Sequence, residues 1–161
     1  MTRASTPAVR YREANKSDVP AMAQIRAAEW GGEEYWKQRI AGYLNCELHP
    51  QHALPSRVIY IAIEGDDIVG FIAGHLTRRF GCDGELEWIN VIPQRRRSGV
   101  ASELLRLLWT WFAEQKARRI CVDVDPANIT ARKFYKQHGA SDLNPHWLVW
   151  DDVVIQSARN D

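Results

Sequence analysis

The spacing of apolar residues along this chain changes several times between a period of two and a period near 3.6. A period of two is typical of a half-buried strand, and a period of 3.6 is typical of a helix with one buried face. The strands predicted in this way cover residues 8–13, 58–63, 68–76, 85–91, 119–124 and 146–150. The predicted helices begin at about residue 18, at 33, just after Gly99 and at 128, and a loop covers 45–56. The sequence therefore predicts a mixed α/β (α+β) domain, with antiparallel hairpins first and strand–helix pairs after them.

A basic turn lies between the strand at 85–91 and the helix that follows it. The turn contains the arginine run 95–97, then Ser98 and Gly99. The first N–H groups of a helix have no partner within the helix, and the helix dipole favours an anion there. Gly99 lets the backbone approach an anion closely, and Ala101 is too small to obstruct it. The turn therefore predicts a phosphate site, although the chain lacks the Gly-x-Gly-x-x-Gly and Gly-x-x-x-x-Gly-Lys-Ser/Thr patterns, which disfavours Rossmann and P-loop sites.

A second motif follows downstream, and the two together resemble one family. Residues 96–101 match the pattern Gln/Arg-x-x-Gly-x-Gly/Ala, and the later motif places Asn128 after a strand, the pair Phe134-Tyr135 near the end of a helix, and Gly139 beyond it. In this order and spacing, the motifs resemble those of the GNAT superfamily, the N-acetyltransferases that use acetyl-CoA. The resemblance covers residues 9–150, and it departs from the family pattern where Ala140 replaces the usual phenylalanine.

The resemblance implies a GNAT fold in a single N-acetyltransferase domain over residues 8–154, with flexible termini at 1–7 and 155–161. Its mixed, mostly antiparallel sheet is splayed between the fourth and fifth strands and flanked by about four helices. The pantetheine arm lies in that gap, where its amides can pair with unpaired backbone groups of the fourth strand. The residues that the resemblance implies for acetyl-CoA binding are Ile89, Asn90, Val91, Arg96, Arg97, Ser98, Gly99, Val100, Ala101, Ser102, Asn128 and Tyr135.

The resemblance also implies direct transfer of an acetyl group from acetyl-CoA to a primary amine in a ternary complex. It places Tyr135 beside the thioester sulfur as the general acid. An ammonium group must lose a proton before it attacks, so a base is useful, and we expect it among Glu85, Glu87 and Asp123, in that order. On a regular strand, Glu85 and Glu87 share a face with Ile89. Each carboxylate has the alternative role of a solvated or ion-paired strand residue.

Charge and cysteine usage narrow the class of protein. The 161 residues carry a net charge of +1, so no basic field predicts nucleic-acid binding. No apolar run approaches the roughly 20 residues needed to span a bilayer, and we expect no membrane partner. Three widely spaced cysteines without a signal peptide predict reduced thiols in a cytoplasmic protein. Cys46, His49 and His52 recur every three residues, but without a fourth ligand and with Pro50 among them they predict no metal site.

The acceptor and the oligomeric state stay open at this stage. Residues 31–56 are rich in aromatic and acidic side chains, which would suit a cationic small amine and would equally suit ordinary core packing with a charged face. A peptide amine is also an open alternative. Trp109 and Trp111 lie on opposite sides of one predicted helix, so at least one of them could be exposed on the chain and form a partner surface, as in a homodimer. The alternative to an enzyme is a non-catalytic acyl-CoA sensor or interaction module, which would have no need of Tyr135 and the strand carboxylates.

Overall fold

The computed structural model of the chain describes residues 8–159, with side chains from 8 to 156. The strands are β1 (Val9–Glu13), β2 (Ala53–Glu64), β3 (Asp67–Thr77), β4 (Gly84–Val91), β5 (Ile120–Asp123), β6 (Ser141–Asn144) and β7 (Trp147–Trp150). The α-helices are α1 (Val19–Ala27), α2 (Glu33–Leu44), α3 (Val100–Glu114), α4 (Ile129–Gln137) and α5 (Val153–Arg159). Short 3-10 turns occupy Lys16–Asp18, Arg79–Gly81 and Pro93–Arg95. Within this part of the chain, no helix is both long and apolar enough to cross a membrane.

The strands form one sheet of seven strands in the order β1-β2-β3-β4-β5-β7-β6. Neighbouring strands are antiparallel except β4 and β5, which run parallel. The β4–β5 pairing joins Gly84, Glu85 and Leu86 to the first residues of β5 and goes no further, whereas β4 stays paired with β3 as far as Val91. The two strands separate beyond Leu86. The predicted mixed sheet, splayed between its fourth and fifth strands, is confirmed.

Two hydrophobic cores cover the two faces of this sheet. The α3 face contains the apolar stripe of that helix together with Leu86 and the partly buried Ile89 and Val91. The opposite face packs α1 and α2 against side chains that include Phe71 and Trp88. Both cores converge on β4, which is therefore covered by helices on both sides.

The expectation of an exposed tryptophan on α3 is wrong. Trp109 is 0% exposed and Trp111 is 8% exposed, because α3 packs against strands β2, β3 and β4 and also against α5. A homodimer therefore gains no support from these two side chains.

A β-bulge in β4 changes the face on which its side chains lie. Ala73 pairs with Trp88 and the next residue, Gly74, pairs with Leu86, so Glu87 is an extra residue without a partner on β3. Leu86 packs on the α3 face and Trp88 on the α1/α2 face, which a regular strand would not allow. The expectation that Ile89 shares a face with Glu85 and Glu87 is therefore wrong, since Ile89 packs on the α3 face.

The ends of several elements differ from the sequence pattern. Strand β2 begins inside the predicted loop 45–56, and β6 was not predicted. Helix α5 at Val153–Arg159, which overlaps the expected flexible terminus at 155–161, was also not predicted. Its Val153 is buried, and the Asp152 side chain accepts a hydrogen bond from the Val154 N–H at 3.0 Å. This capped start and one buried anchor hold a helix too short for its apolar period to be recognised. Residues 1–7 and 160–161 of the expected termini lie outside the described part of the chain.

Candidate active site

The turn before α3 presents a row of free backbone donors. Across the described residues, no acceptor contacts the N–H groups of residues 97–102, and the next helical bond runs from the Glu103 N–H to the Gly99 carbonyl at 3.0 Å. Arg97 and Gly99 have positive φ angles of 63° and 88°, which bend the chain sharply into the helix. A β-carbon added to Gly99 would meet nothing within 4 Å. Successive N–H groups beside open space at a helix start can receive a phosphate.

The three arginines of this turn have different partners. Arg95 forms an ion pair with Glu64, and Arg96 donates to Glu29 at 3.0 Å and to the Val91 carbonyl at 3.3 Å. Arg97 is exposed, and its guanidinium forms no hydrogen bond or ion pair among residues 8–156. The run of three charges therefore leaves one arginine free to bind an anion. Ser98 donates its hydroxyl to the Arg95 carbonyl, and the hydroxyl of Ser102 lies 3.0 Å from His138 Nε2.

The second half of β4 offers one edge that no strand covers. Ile89, Asn90 and Val91 pair with β3 on one side, and β5 has already separated from β4 on the other. Asn90 is buried, and its side-chain oxygen accepts a hydrogen bond from Arg26 Nη1 at 3.0 Å. An edge of this kind can pair with an extended amide-containing ligand.

Tyr135 lies on α4, and Asn128 is the residue directly before this helix. Tyr135 is 7% exposed, and its ring stacks edge-on against Trp150 with centroids 5.6 Å apart. Burial raises the pKa of Tyr135, so its hydroxyl keeps its proton at neutral pH. Asn128 caps the helix, since its side-chain oxygen accepts the Ala131 N–H at 3.1 Å. The cap fixes the start of the helix that carries Tyr135.

Glu85 lies deep in the site and is already paired. Its side chain is 7% exposed, and its Oε1 accepts a hydrogen bond from Arg79 Nε at 3.3 Å. The same oxygen lies 3.7 Å from Nε2 of His75, its cross-strand neighbour. Glu85 is therefore a carboxylate whose charge is balanced within the protein.

Glu87 is more accessible, with a side chain 16% exposed, and the bulge turns it toward the same cluster. Burial, followed by the negative charge of Glu85 and a hydrogen bond with it, raises the pKa of Glu87 to about 8. Arg39 and Arg26 act in the opposite direction. A carboxyl group with this pKa can take up and release a proton near neutral pH.

The third carboxylate, Asp123, stands apart at the end of β5. It is exposed and lies opposite Trp147 on β7. Partial burial and the charge of Glu85 raise the pKa of Asp123, whereas His146 and Arg79 lower it. The structure brings Glu85 and Glu87 together and leaves Asp123 at the rim.

Two groups of side chains bear on metal binding. His75, Glu85 and Glu87 each place one ligand atom within 4.8 Å of the others, and three ligands are the usual number for a catalytic zinc site. The chain itself supplies a cation to this group through Arg79, and we therefore interpret the three side chains as an acid–base cluster.

In the loop considered earlier, His49 accepts a hydrogen bond from Arg57 at 2.8 Å and the Cys46 thiol lies 3.7 Å from the Pro55 carbonyl.

Two residues of this site were missed by the sequence analysis. Arg26 bonds to Asn90, stacks on Trp36 at 4.2 Å, and lies near enough to Glu87 and Tyr135 for their charges to act on it. Burial lowers the pKa of Arg26. His75 is fully buried between the two glutamates. The sequence does show an arginine and a histidine among apolar residues at these two positions. This pattern does not indicate which residues, distant in sequence, their side chains contact.

Residues 20–140 match the family model described as the Acetyltransferase (GNAT) family. This chain belongs to the GNAT family. Over 86 residues it is 28% identical to aminoglycoside N(6')-acetyltransferase type 1 of Salmonella typhimurium, an alignment covering 50% of this chain. The chain spans 59% of the length of the curated relatives that it matches.

Solved structures of this GNAT fold superpose over most of the chain. Aminoglycoside antibiotic 6'-N-acetyltransferase of Acinetobacter haemolyticus gives a TM-score of 0.71 at 18% identity, covering 84% of this chain and 92% of its own. The PaiA N-acetyltransferase of Thermoplasma acidophilum, solved in complex with coenzyme A, gives 0.68 at 14% identity, covering 89% and 99%. At these identities the likeness shows the fold alone. The predicted membership of the GNAT superfamily is confirmed.

Proposed function

We propose that this protein is an acyl-CoA-dependent N-acyltransferase that transfers an acetyl group from acetyl-CoA to a primary amine by direct attack in a ternary complex. The observation that carries the proposal is the row of unpartnered N–H groups at residues 97–102, directly beyond the uncovered edge of β4. Family membership supports the same chemistry. The three cysteines are unpaired thiols, which supports a reducing, cytoplasmic environment.

The residues of the turn and the strand edge fit coenzyme A in complementary ways. The N–H groups of 97–102 and the free Arg97 would hold its phosphates, and backbone groups of Ile89, Asn90 and Val91 would pair with the pantetheine amides. Bound acetyl-CoA supplies an activated thioester. The open space beside Gly99 supports this fit, because a phosphate needs that close approach to the backbone.

Glu87 is our first candidate for the base, ahead of Glu85 and Asp123. The order differs from the sequence-based expectation because Glu85 is buried and accepts a hydrogen bond from Arg79, whereas the side chain of Glu87 is partly accessible. Glu87 takes one proton from the acceptor ammonium, and the neutral nitrogen then attacks the thioester carbonyl. Asp123 is assigned no proton transfer.

Tyr135 is the candidate acid. The C–S bond breaks when the tetrahedral carbon collapses, and the phenol proton passes to the departing thiolate. The acetylated nitrogen loses its second proton to solvent, Tyr135 regains one from solvent, and Glu87 releases to solvent the proton that it took. The balanced reaction converts an ammonium ion and acetyl-CoA into an amide, CoA thiol and one proton.

The acceptor side supports a cationic amine. Trp30 and Tyr35 are exposed, with ring centroids 5.9 Å apart, and the exposed Glu33 lies between them in sequence. Aromatic faces next to a carboxylate attract ammonium groups. The similarity to an aminoglycoside acetyltransferase favours a small-molecule amine over a peptide amine.

The test is a panel of polyamines, aminoglycosides and peptide amines incubated with acetyl-CoA, with thiol release and product mass as readouts. We expect an acetylated product from at least one cationic small amine. CoA binding by calorimetry without turnover on any amine would favour the sensor or interaction module. Absence of CoA binding would overturn both functions.

Substitution of Tyr135 by phenylalanine should lower kcat about 10- to 100-fold and leave acetyl-CoA affinity nearly unchanged. The effect is moderate because a thiolate with a pKa of roughly 8.5 leaves tolerably without an acid, and general acid catalysis contributes about 10²–10⁴-fold. The measurement is kcat on a confirmed acceptor between pH 6 and 10. Wild-type kcat across that range would make Tyr135 a packing residue.

Substitution of Arg97 by glutamine should weaken CoA binding about tenfold at low salt and flatten its dependence on ionic strength. Arg95→Gln is the matched control, since Arg95 is neutralised by Glu64 and should change the slope little. Calorimetry with CoA and with dephospho-CoA measures both effects. Equal salt slopes for the two ligands in the wild type would exclude an arginine contact with the 3′-phosphate.

A further inference from the structure

His75 is a fully buried polar residue that the proposed reaction does not use. It lies on β3, opposite Glu85, with a side-chain exposure of 0%. Its Nδ1 lies 3.0 Å from the hydroxyl of Tyr43, and the two rings meet edge to face with centroids 5.7 Å apart. Tyr43 is itself buried on α2. The imidazole is therefore held in one orientation.

The other ring nitrogen has no hydrogen-bond partner among the described residues. A buried polar atom without a partner requires an explanation, because its desolvation is not compensated. The nearest charged groups are Glu85 Oε1, 3.7 Å from Nε2, and Glu87 Oε2, 4.0 Å from Nδ1. The ring thus faces both carboxylates of the candidate base pair.

We propose that His75 is a positioning residue: its imidazole, oriented by Tyr43, stabilises the charge of Glu85 and so leaves Glu87 as the carboxylate that exchanges a proton with the acceptor. This inference rests on the proposed function. If the Tyr43 hydroxyl donates to Nδ1, the hydrogen of the neutral ring is on Nε2 and its dipole points toward Glu85. At 3.7 Å this is a charge–dipole contact, which Arg79 reinforces from another direction.

Two neighbouring carboxylates resist simultaneous ionisation, so any group that stabilises one anion lowers the proton affinity of the pair. The charged and titratable groups around the cluster come from every adjacent element. They are Arg26 on α1, Arg39 and Tyr43 on α2, Arg57 on β2, Arg79 and Cys82 between β3 and β4, and Cys121 and Asp123 on β5. Substitution of His75 leaves all of them in place.

The test compares His75→Phe, which keeps the ring and removes both nitrogens, with His75→Gln, whose amide can still meet Tyr43 and Glu85. In His75→Phe the acidic limb of the pH profile of kcat/KM should move to a pH about one unit higher. Glu85 loses a stabilising dipole in this variant, so the pair of Glu85 and Glu87 binds its proton more tightly. The rate should fall about tenfold at pH 7 and approach the wild-type value near pH 10. In His75→Gln the limb should return most of the way to its wild-type position. CoA affinity should stay the same in both His75 variants.

His49→Phe is the matched control, since His49 contacts Arg57 rather than the carboxylates, and its limb should not move. Tyr43→Phe offers a second variant that removes only the orienting hydroxyl, with a smaller shift expected in the same direction. A chelator in every buffer removes metal ions from the cluster. An unmoved limb in both His75→Phe and Tyr43→Phe, with an equal loss of rate at all pH values, would overturn the positioning role.

A second readout needs no turnover. Titration of the glutamate carboxyl carbons by ¹³C NMR follows the proton affinity of the pair in the free protein, and the His75→Phe midpoint should again be about one pH unit higher. A higher midpoint in His75→Phe, in a protein that transfers no acetyl group, would reject the proposed function and support the coupling of His75 to the two glutamates. Acetyl transfer without the NMR shift would reject the coupling alone.

Discussion

Replacement of Gly99 by valine should weaken CoA binding at least about 100-fold while the fold is retained. Gly99 has a φ of 88°, and for a residue with a β-carbon the left-handed region costs about 1–2 kcal/mol. The β-carbon of the new side chain would clash with nothing in the protein, since it meets no atom within 4 Å. The expected loss of affinity therefore comes from distortion of the turn and from a branched side chain in the space that a phosphate needs.

Gly65→Val is the matched control for this experiment. Gly65 has a φ of 62° and equally open surroundings, but it lies in the turn between β2 and β3. Both variants should lose similar thermal stability, and only Gly99→Val should lose CoA affinity in calorimetry. Wild-type affinity in a folded Gly99→Val protein would exclude this turn as the phosphate site.

The second large effect is expected from Glu87→Gln, which should lower kcat/KM about 100-fold or more at pH 8 to 9. In the wild type the pKa of Glu87, raised to about 8 by burial and Glu85, keeps the carboxyl protonated at lower pH. The rate should therefore rise with pH through about 8, and this limb should be absent in the variant. Asp123→Asn, at the rim of the site, should keep both the limb and most of the rate.

Thermal unfolding provides an independent check on the same substitution. A carboxyl whose pKa is higher in the folded state than in the unfolded state contributes stability below the unfolded value, and this contribution is lost as pH rises through about 8. Glu87→Gln cannot ionise, so its Tm should exceed that of the wild type at pH 9. A limb that survives in Glu87→Gln and disappears in Glu85→Gln would reverse the assignment of the base.

Local patterns predicted much of the fold correctly. The apolar stripe of α3 and the hairpin formed by the strands predicted at 58–63 and 68–76 depend on neighbours in sequence, and both elements lie where they were expected. The free N–H groups before α3 follow from helix geometry alone, which is why the sequence could predict them.

Contacts between distant residues were beyond the reach of these patterns. Arg95 meets Glu64 and Arg96 meets Glu29, so two charges of an apparently free basic run are neutralised by remote elements. The cluster around His75 likewise depends on how α2 packs across β3 and β4. No periodicity within residues 85–91 signals a bulge, and the resulting change of face altered the environment expected for Ile89.

The bulge at Glu87 also constrains the length of β4. Before it, odd-numbered residues face the acidic cluster, and after it odd-numbered residues face α3. The strand is thus two segments out of phase, one carrying Glu85 beside His75 and the other carrying the uncovered edge at residues 89–91. Deletion of Glu87 would restore one phase, with Leu86 and Ile89 still on the α3 face, but it would remove the side chain that the bulge adds beside Glu85. Substitutions can therefore change either segment alone, whereas the extra carboxyl group beside Glu85 exists only because β4 is one residue longer than the stretch of β3 with which it pairs.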